Sequence, residues 1–436
     1  MTRTNSLRLG LAGMTLAAAL AAAPARAQNI EATWSGFATL GWAKSDSDYT
    51  YQRFITRDGG WKRDSLVAGQ LDLRLSPQWS ATVQAKVAAC DTKDDGVCAR
   101  AAWAFVAWRP DNDWLLRAGK VRVPLYLHSE SLDVGVASDM ARLPHEMYSI
   151  VPTNDFTGLF VTRSFSWGAR DISIDAYSGQ ADATARLWLR DGLPPVVPAG
   201  ASFRTVNVKV NGLVLSVRDD TLTWRLGAIS ARTRSADGQP LPVRFPRVDI
   251  GSGLYYWQVD PSLPGPGIER VGHIRNLALT AGAEWSFGDG WRVAGEYVRM
   301  MQHDTELGSD SKAGYLALFK RIGDFTPYAS MARQRSSDGV LDWHQRLTTP
   351  TLPGVVPGAD QINAAQRLAG ESGYAFDQRS LALGVSYALS PTAKLKGEWM
   401  RTRVGRASGH FDVPAGQPDA QGLQVHTWTA NLSVAF

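Results

Sequence analysis

The chain is poor in the residues that hold metals and redox groups. Among its 436 residues are two cysteines, Cys90 and Cys98, and seven histidines scattered at 128, 145, 273, 303, 344, 410 and 426. No HExxH run occurs, no phosphate-cradling GxxxxGK[ST], and no GxSxG elbow, because Gly384-Val385-Ser386-Tyr387-Ala388 breaks that last pattern at its final position. His426 and Ser433 share a segment, but opposite parity points them to opposite faces of a strand. No metal, cofactor or catalytic residue is assigned, and the chain is expected not to be an enzyme.

Charge of one sign is lacking as well. The 46 Lys and Arg exceed the 41 Asp and Glu by five, and three of the basic residues, Arg3, Arg8 and Arg26, lie in the first 27 positions. There a basic start, an apolar run from Leu9 to Ala23 and the small-residue site Ala25-Arg26-Ala27 form a secretory signal peptide, residues 1–27, cleaved near Ala27. The alternative, an uncleaved helical anchor, needs about 20 apolar residues, and the run is shorter. Without the leader the charge is close to balanced and alternates in sign, so no nucleic-acid partner is indicated. After Gln28 no stretch of 18 apolar residues occurs, which excludes a membrane-spanning helix.

What is present is a period of two. In VHTWTANLSVAF, Trp428, Ala430, Leu432, Val434 and Phe436 fall on one face and Thr427, Thr429, Asn431 and Ser433 on the other. Leu381, Leu383, Val385 and Tyr387 alternate with small and polar residues in the same way, as do Leu277 to Phe287 and Val67 to Leu75. Sixteen strands are predicted, at 32–44, 65–76, 79–89, 99–109, 114–122, 156–166, 169–178, 203–217, 221–234, 275–287, 290–303, 312–322, 325–335, 378–390, 393–405 and 425–436. The two at 312–335 are the least regular, because Lys320 and Tyr328 break the alternation. Strands of ten or more residues match a tilted crossing of a hydrocarbon layer better than the five or six of a soluble sandwich.

The links alternate between short turns, such as Ser390-Pro391-Thr392 and Gly288-Asp289, and long loops, the largest being 123–155, 179–202, 235–274 and 336–377. Within the last, Asn363 to Gly370 reads as a short helix, and 235–274 is proline-rich. Trp79, Trp114, Trp291 and Phe325 follow short turns, while Trp285, Phe287 and Tyr387 precede them, as the aromatic girdle of one membrane interface would. The fold class is therefore all-β: a transmembrane antiparallel β-barrel of about 16 strands spanning 28–436, with short periplasmic turns and long extracellular loops.

The segment Gln378–Phe436, with its SYALSPTAKLKGEW turn and terminal aromatic residue, resembles the end of Gram-negative outer-membrane porins. GKVRVPLYLHSES, Gly119 to Ser131, is similar to the opening of the third loop in phosphate- and pyrophosphate-type porins. The resemblance implies a homotrimer in the outer membrane of a Gram-negative bacterium, surrounded by outer-membrane lipid and lipopolysaccharide. It also implies that the barrel-assembly machinery reads Phe436, and that the third loop, near 123–155, folds inward. In that case Arg117, Lys120, Arg122, Arg142 and Glu146 line a pore constriction, and a ring of such charges selects ions by sign. The alternative is that they pair with one another on a surface loop.

Arg74, Lys86, Lys209, Arg225, Arg292, Lys394 and Lys396 are placed on the pore wall, against Asp72, Glu284, Glu296 and Glu398. The expected function is passive diffusion of small hydrophilic solutes, leaning to anions or carboxylate-bearing molecules. Rival readings are an outer-membrane barrel enzyme and a plugged barrel with an adhesin or receptor role. A periplasmic wall-binding domain or a plug domain ahead of the barrel is not evident. Cys90 and Cys98 are close enough for one disulfide in an oxidising compartment; the alternative is a calcium site at Asp91, Asp94 and Asp95, which lacks the full DxDxDG spacing.

Overall fold

A computed structural model describes residues 30–151, 153–306 and 308–436, so the signal peptide expected over 1–27 lies outside the described residues. Sixteen antiparallel strands close into one barrel in simple sequence order. They are β1 Glu31–Ser45, β2 Leu66–Arg74, β3 Trp79–Ala89, β4 Val97–Trp108, β5 Trp114–Arg122, β6 Asp155–Trp167, β7 Arg170–Leu189 and β8 Gly200–Arg218. The second half comprises β9 Leu222–Ser235, β10 Ile274–Phe287, β11 Trp291–His303, β12 Ser311–Lys320, β13 Phe325–Ser336, β14 Phe376–Ser390, β15 Ala393–Ser408 and β16 Gln424–Ala435. Among the described residues no helix is long and apolar enough to cross a membrane. The barrel closes where β1 pairs with β16, Phe37 opposite Ala435 and Ser45 opposite Thr427.

The period of two sorts the side chains. On β16, Trp428 and Leu432 face outward while Thr427, Asn431 and Ser433 are buried in the lumen. On β14, Leu381, Leu383 and Val385 are exposed and Ala382 and Ser386 buried. At the short-turn end, Trp79 stacks on Trp108, Trp285 on Phe287, and Phe325 packs against Tyr387, with ring centroids 5.9, 4.6 and 4.6 Å apart.

Two boundaries differ from the expected ones. β7 continues to Leu189 and β8 starts at Gly200, so the link between them is eleven residues shorter at one end and three at the other than the 179–202 expected. Their registered pairs run from Asp171–Arg218 up to Leu189–Gly200. The polar run 180–186 loses the apolar alternation because this hairpin projects beyond the hydrocarbon, where an outward face needs no grease. The other difference is helical. α2, Asp338–Thr348, precedes the helix expected near 363–370, which is α3, Ala359–Glu371. These two helices pack on the β-hairpin Arg247–Trp257: Trp343 meets Trp257 edge-on at 4.7 Å, and the Trp257 amide donates to Gln366 Oε1 at 2.7 Å.

The closing ladder ends in a reciprocal pair of backbone bonds. The Gly36 amide donates to the Phe436 carbonyl at 2.8 Å and the Phe436 amide returns a bond to Gly36 at 2.9 Å. The Phe436 ring lies over Gly36, where a Cβ would stand 2.5 Å from a ring carbon. Gly69, directly across from Gly36 on β2, has open space at the same test. We expect Gly36→Val to lower barrel stability by about 1–3 kcal/mol through overpacking, while Gly69→Val stays within roughly 0.5 kcal/mol. Heat-modifiable gel mobility across a urea series checks this, and equal midpoints for the two variants would remove the argument.

Candidate functional site: the lumen and its third loop

The inner wall is of two kinds. From β6 to β13 it is largely apolar: Phe156, Phe160, Tyr177, Val214, Ile229, Val298 and Phe319 form one buried cluster. Val121, Val123, Leu125, Tyr126, Met140 and Met147 of the link between β5 and β6 belong to that same cluster. The link therefore enters the barrel because its own apolar side chains are buried against an apolar sector of wall, at about 1.5–3 kcal/mol for each fully buried large side chain. It carries a 3-10 turn, Gly135–Ala137, and a short helix α1, His145–Tyr148.

Polar anchors hold the loop both within this sector and on β15 beyond it. Glu296 on β11 accepts hydrogen bonds from the Leu127 amide at 2.7 Å, Tyr148 at 2.5 Å and Tyr315 at 2.9 Å. Tyr328 on β13 donates to Glu398 at 2.8 Å and accepts from the Ala141 amide at 2.9 Å. Lys396 on β15 donates to the carbonyls of Gly135 at 2.8 Å and Met140 at 3.1 Å. Deepest, Asp139 joins Arg292 at 2.5 Å and Lys394 at 2.6 Å. Both partners sit in the first two residues of their strands, beside the short turns, so the loop reaches the turn end of the barrel. At Gly135 the loop meets the closure seam, and a Cβ there would lie 2.2 Å from Ser433 Oγ and 2.5 Å from Thr39 Oγ1.

The predicted constriction residues are dispersed by this arrangement. Arg117 stacks over the Phe160 ring, 4.2 Å from its centroid, on the lumenal face. Lys120 does not join it: opposite Thr157, it lies on the outward parity and pairs with Asp155 at 3.5 Å. Arg122 is buried and binds Asp133 at 2.8 Å. Arg142 grips Asp64, with Nε to Oδ1 at 2.9 Å, and touches Thr429 at 3.3 Å. Glu146 is fully buried and accepts from Gln378 Nε2 at 2.9 Å. Burial pushes the Glu146 carboxyl above its ordinary range, so it is a hydrogen-bonded anchor and not an exposed charge.

Of the wall residues, Lys86, Arg292, Glu296, Lys394, Lys396 and Glu398 face the lumen, and all but Glu398, which acts through Tyr328, bind the loop directly. Arg74 sits at the turn-end rim, 3.9 Å from Glu31. Lys209 faces outward, since Val208, Val210 and Val214 occupy the inner parity of β8. Cys90 and Cys98 form the disulfide. The aspartates beside it bind arginines: Asp94 pairs with Arg53 and Arg186, and Asp91 with Arg100. No group of three metal-ligating side chains exists among the described residues. Ser433 is buried in the lumen while His426 stacks outside against Trp399. Tyr148, Tyr315, Tyr328, Asp64 and Gln378 carry the loop yet were not anticipated. Tyr328 alone left a signal, its misfit with the apolar alternation, because it is a lumenal anchor.

Between this loop, the first two loops and the wall of β1 to β4, β7, β15 and β16 lies a cavity of about 490 Å³. Eight cationic side chains line it, Arg53, Lys62, Arg63, Lys86, Arg100, Arg142, Arg186 and Lys396, against four carboxylates, Asp64, Asp91, Asp133 and Asp412. Among the described residues, Lys62, Arg63 and Lys396 form no ion pair with a carboxylate, and their polar contacts are to carbonyl oxygens or to His145.

No protein-family model matches the chain, and no curated protein does. Its fold does match solved outer-membrane barrels. OmpT of Vibrio cholerae, an outer-membrane protein in its trimer form, superposes with a TM-score of 0.51 at 11% identity, over 94% of this chain and 100% of that one. OprB of Pseudomonas putida superposes at 0.51 and 8% identity, over 93% of this chain and 94% of that one. The chain thus has a closed sixteen-stranded barrel fold like that of these outer-membrane proteins.

Asp133 shows how firmly the loop is tied. It bonds Lys86 at 2.7 Å and Arg122 at 2.8 Å. Burial alone would raise its carboxyl, but the two cations outweigh that and bring it down to about 2. Because the value is depressed, its contribution is complete above about pH 4, the ordinary carboxylate value, and is lost only as the pH falls towards 2. Asp133→Asn leaves two buried cations uncompensated, and should weaken docking of the loop by about 3–5 kcal/mol. Hydrogen exchange of residues 123–151 should rise accordingly in the variant, and in the native protein only below about pH 3. Unchanged exchange in the variant would refute the role.

Proposed function

We propose that the protein is an outer-membrane porin, a passive diffusion channel for small hydrophilic solutes that favours anions or carboxylate-bearing molecules. The cationic excess along the lumenal cavity carries this reading. Two arginines flank Asp94, and among the described residues Lys62, Arg63 and Lys396 form no ion pair with a carboxylate. A low-dielectric wall lined by one sign of charge concentrates the opposite ion. A solute crossing here would slide between the loop and β1 to β3, exchanging water for guanidinium and ammonium donors. No chemistry on the solute is involved. The belt of outward Leu, Val and Trp side chains supports a place in the outer membrane. The fold likeness to a protein solved in a trimer form supports a homotrimer, and Phe436 at the closing strand suits a signal for barrel assembly.

A second reading, a barrel plugged in its resting state, is favoured by one observation: the third loop spans the lumen to the β1–β16 seam at Gly135. Planar-bilayer recording under a potassium chloride gradient separates the two. The porin reading expects conductance with a reversal potential on the anion side, and a chloride-to-potassium permeability ratio that falls at least twofold in Lys62→Glu. The plugged reading expects silence in the native protein and conductance in Gly135→Val, whose side chain drives the loop off Ser433 and Thr39. Silence from both would refute the channel.

A further inference from the structure

We propose that the lumenal cavity holds a binding site for a hydroxy-carboxylate, with the carboxylate on Arg63 and Arg142 and a neighbouring hydroxyl on the side-chain amide of Gln52. The inference rests on the porin reading and narrows the solute to one class. Gln52 and Arg63 belong to the first loop, between β1 and β2, and Arg142 to the third. All three line the cavity, joined by two histidines that line it with them. The Gln52 main-chain amide donates to the His410 carbonyl at 2.8 Å. The His410 ring packs on His145 with centroids 4.4 Å apart, and Arg63 Nη2 lies 3.3 Å from His145 Nδ1. Arg142 holds Asp64, the residue after Arg63.

This stretch of wall offers more hydrogen bonds than the protein uses. Arg63 Nε, Arg142 Nη1 and both polar atoms of the Gln52 side chain are buried without a hydrogen-bond partner among the described residues. Buried polar groups left so are destabilising, and a ligand that satisfies them gains by it. Gln52 is only 3% exposed. Its φ is +46° and that of Arg53 is +74°, left-handed values that long side chains rarely adopt. Tyr51 and Ile55 hold the turn in place: both are fully buried, and their main chains bond each other at 2.8 and 2.9 Å. Strain of this kind persists where the placement of a side chain matters.

The free donors and acceptors select the ligand. Two guanidinium N–H groups and an amide N–H call for an acceptor-rich anion, and a planar carboxylate matches guanidinium. The lining carboxylates do not compete, since Asp64, Asp91, Asp133 and Asp412 are each paired with an arginine or lysine. Gln52 Oε1, in contrast, needs a donor. An ammonium group would be repelled by the cationic excess of the cavity, whereas a hydroxyl brings its proton without charge. A simple fatty acid or chloride leaves that oxygen unsatisfied. The cavity volume of about 490 Å³ admits a six-carbon acid.

The test is calorimetric titration of the folded protein in neutral detergent, with heats into empty micelles subtracted. Three probes are used: D-gluconate, hexanoate, which keeps the carboxylate without hydroxyls, and sorbitol, which keeps hydroxyls without the carboxylate. Gluconate is expected to bind roughly tenfold tighter than either, the worth of about one net hydrogen bond. Gln52→Met should bring gluconate to within about twofold of hexanoate, and Arg63→Met to within about twofold of sorbitol, each with its heat-modifiable folded band retained. Should neither variant fold, the native protein's preference over both controls decides the matter. Three results would overturn the proposal. One is equal affinity of the native protein for gluconate and hexanoate. Another is an unchanged preference in folded Gln52→Met. The third is tighter binding of inorganic phosphate than of gluconate, which would mark a simple oxyanion site. Planar-bilayer conductance of the same preparation keeps this apart from the porin reading. Conduction without gluconate binding overturns the site alone, and gluconate binding without conduction overturns the channel and leaves the site.

Discussion

Every backbone amide and carbonyl that enters hydrocarbon must find a partner within the protein, and the rest of this structure follows from that requirement. Strands meet it only if the sheet has no edge. The ladder that closes the circle, β1 on β16 with the Gly36 and Phe436 bonds at its end, therefore matters as much as any other. Closure then imposes the period of two, with one parity facing lipid and the other facing an interior that the chain itself must furnish.

How the interior is furnished distinguishes this barrel from an empty cylinder. Over β6 to β13 the inward parity is nearly as apolar as the outward one, which water would not tolerate as a bare wall. The third loop covers that sector with its own apolar residues and descends as far as Arg292 and Lys394. A loop drawn so deep carries backbone and charge away from solvent, and each such group needs a partner. Glu296, Tyr328, Lys396 and Asp133 supply them. The cavity that the loop leaves open is lined by cations of the first loop, Arg53, Lys62 and Arg63, together with Arg100 of β4 and Arg186 of β7.

The barrel was legible because its signals are local. Alternation, turn residues and aromatic placement each act over a dozen positions or fewer, and sixteen strands could be counted from them with boundaries mostly within three residues. The places where alternation failed were informative. Tyr328 broke the pattern because it points inward to hold the loop. The run 180–186 broke it because the hairpin there had left the membrane. Lys209 was assigned to the pore by its charge, but on β8 valines hold the lumenal parity, and hydrophobic sorting by face does not distinguish a lumen lined with protein from the lipid outside.

The sequence by itself determined the strand count, the parity of most side chains and the sidedness of the loops, since these depend on neighbours a few residues away. Tertiary structure alone decided which charges meet. Arg142 finds Asp64 across 78 residues, Lys394 finds Asp139 across 255 and Arg186 finds Asp412 across 226. A loop path through the lumen is chosen by the sum of many distant contacts, and no periodicity along the chain records it.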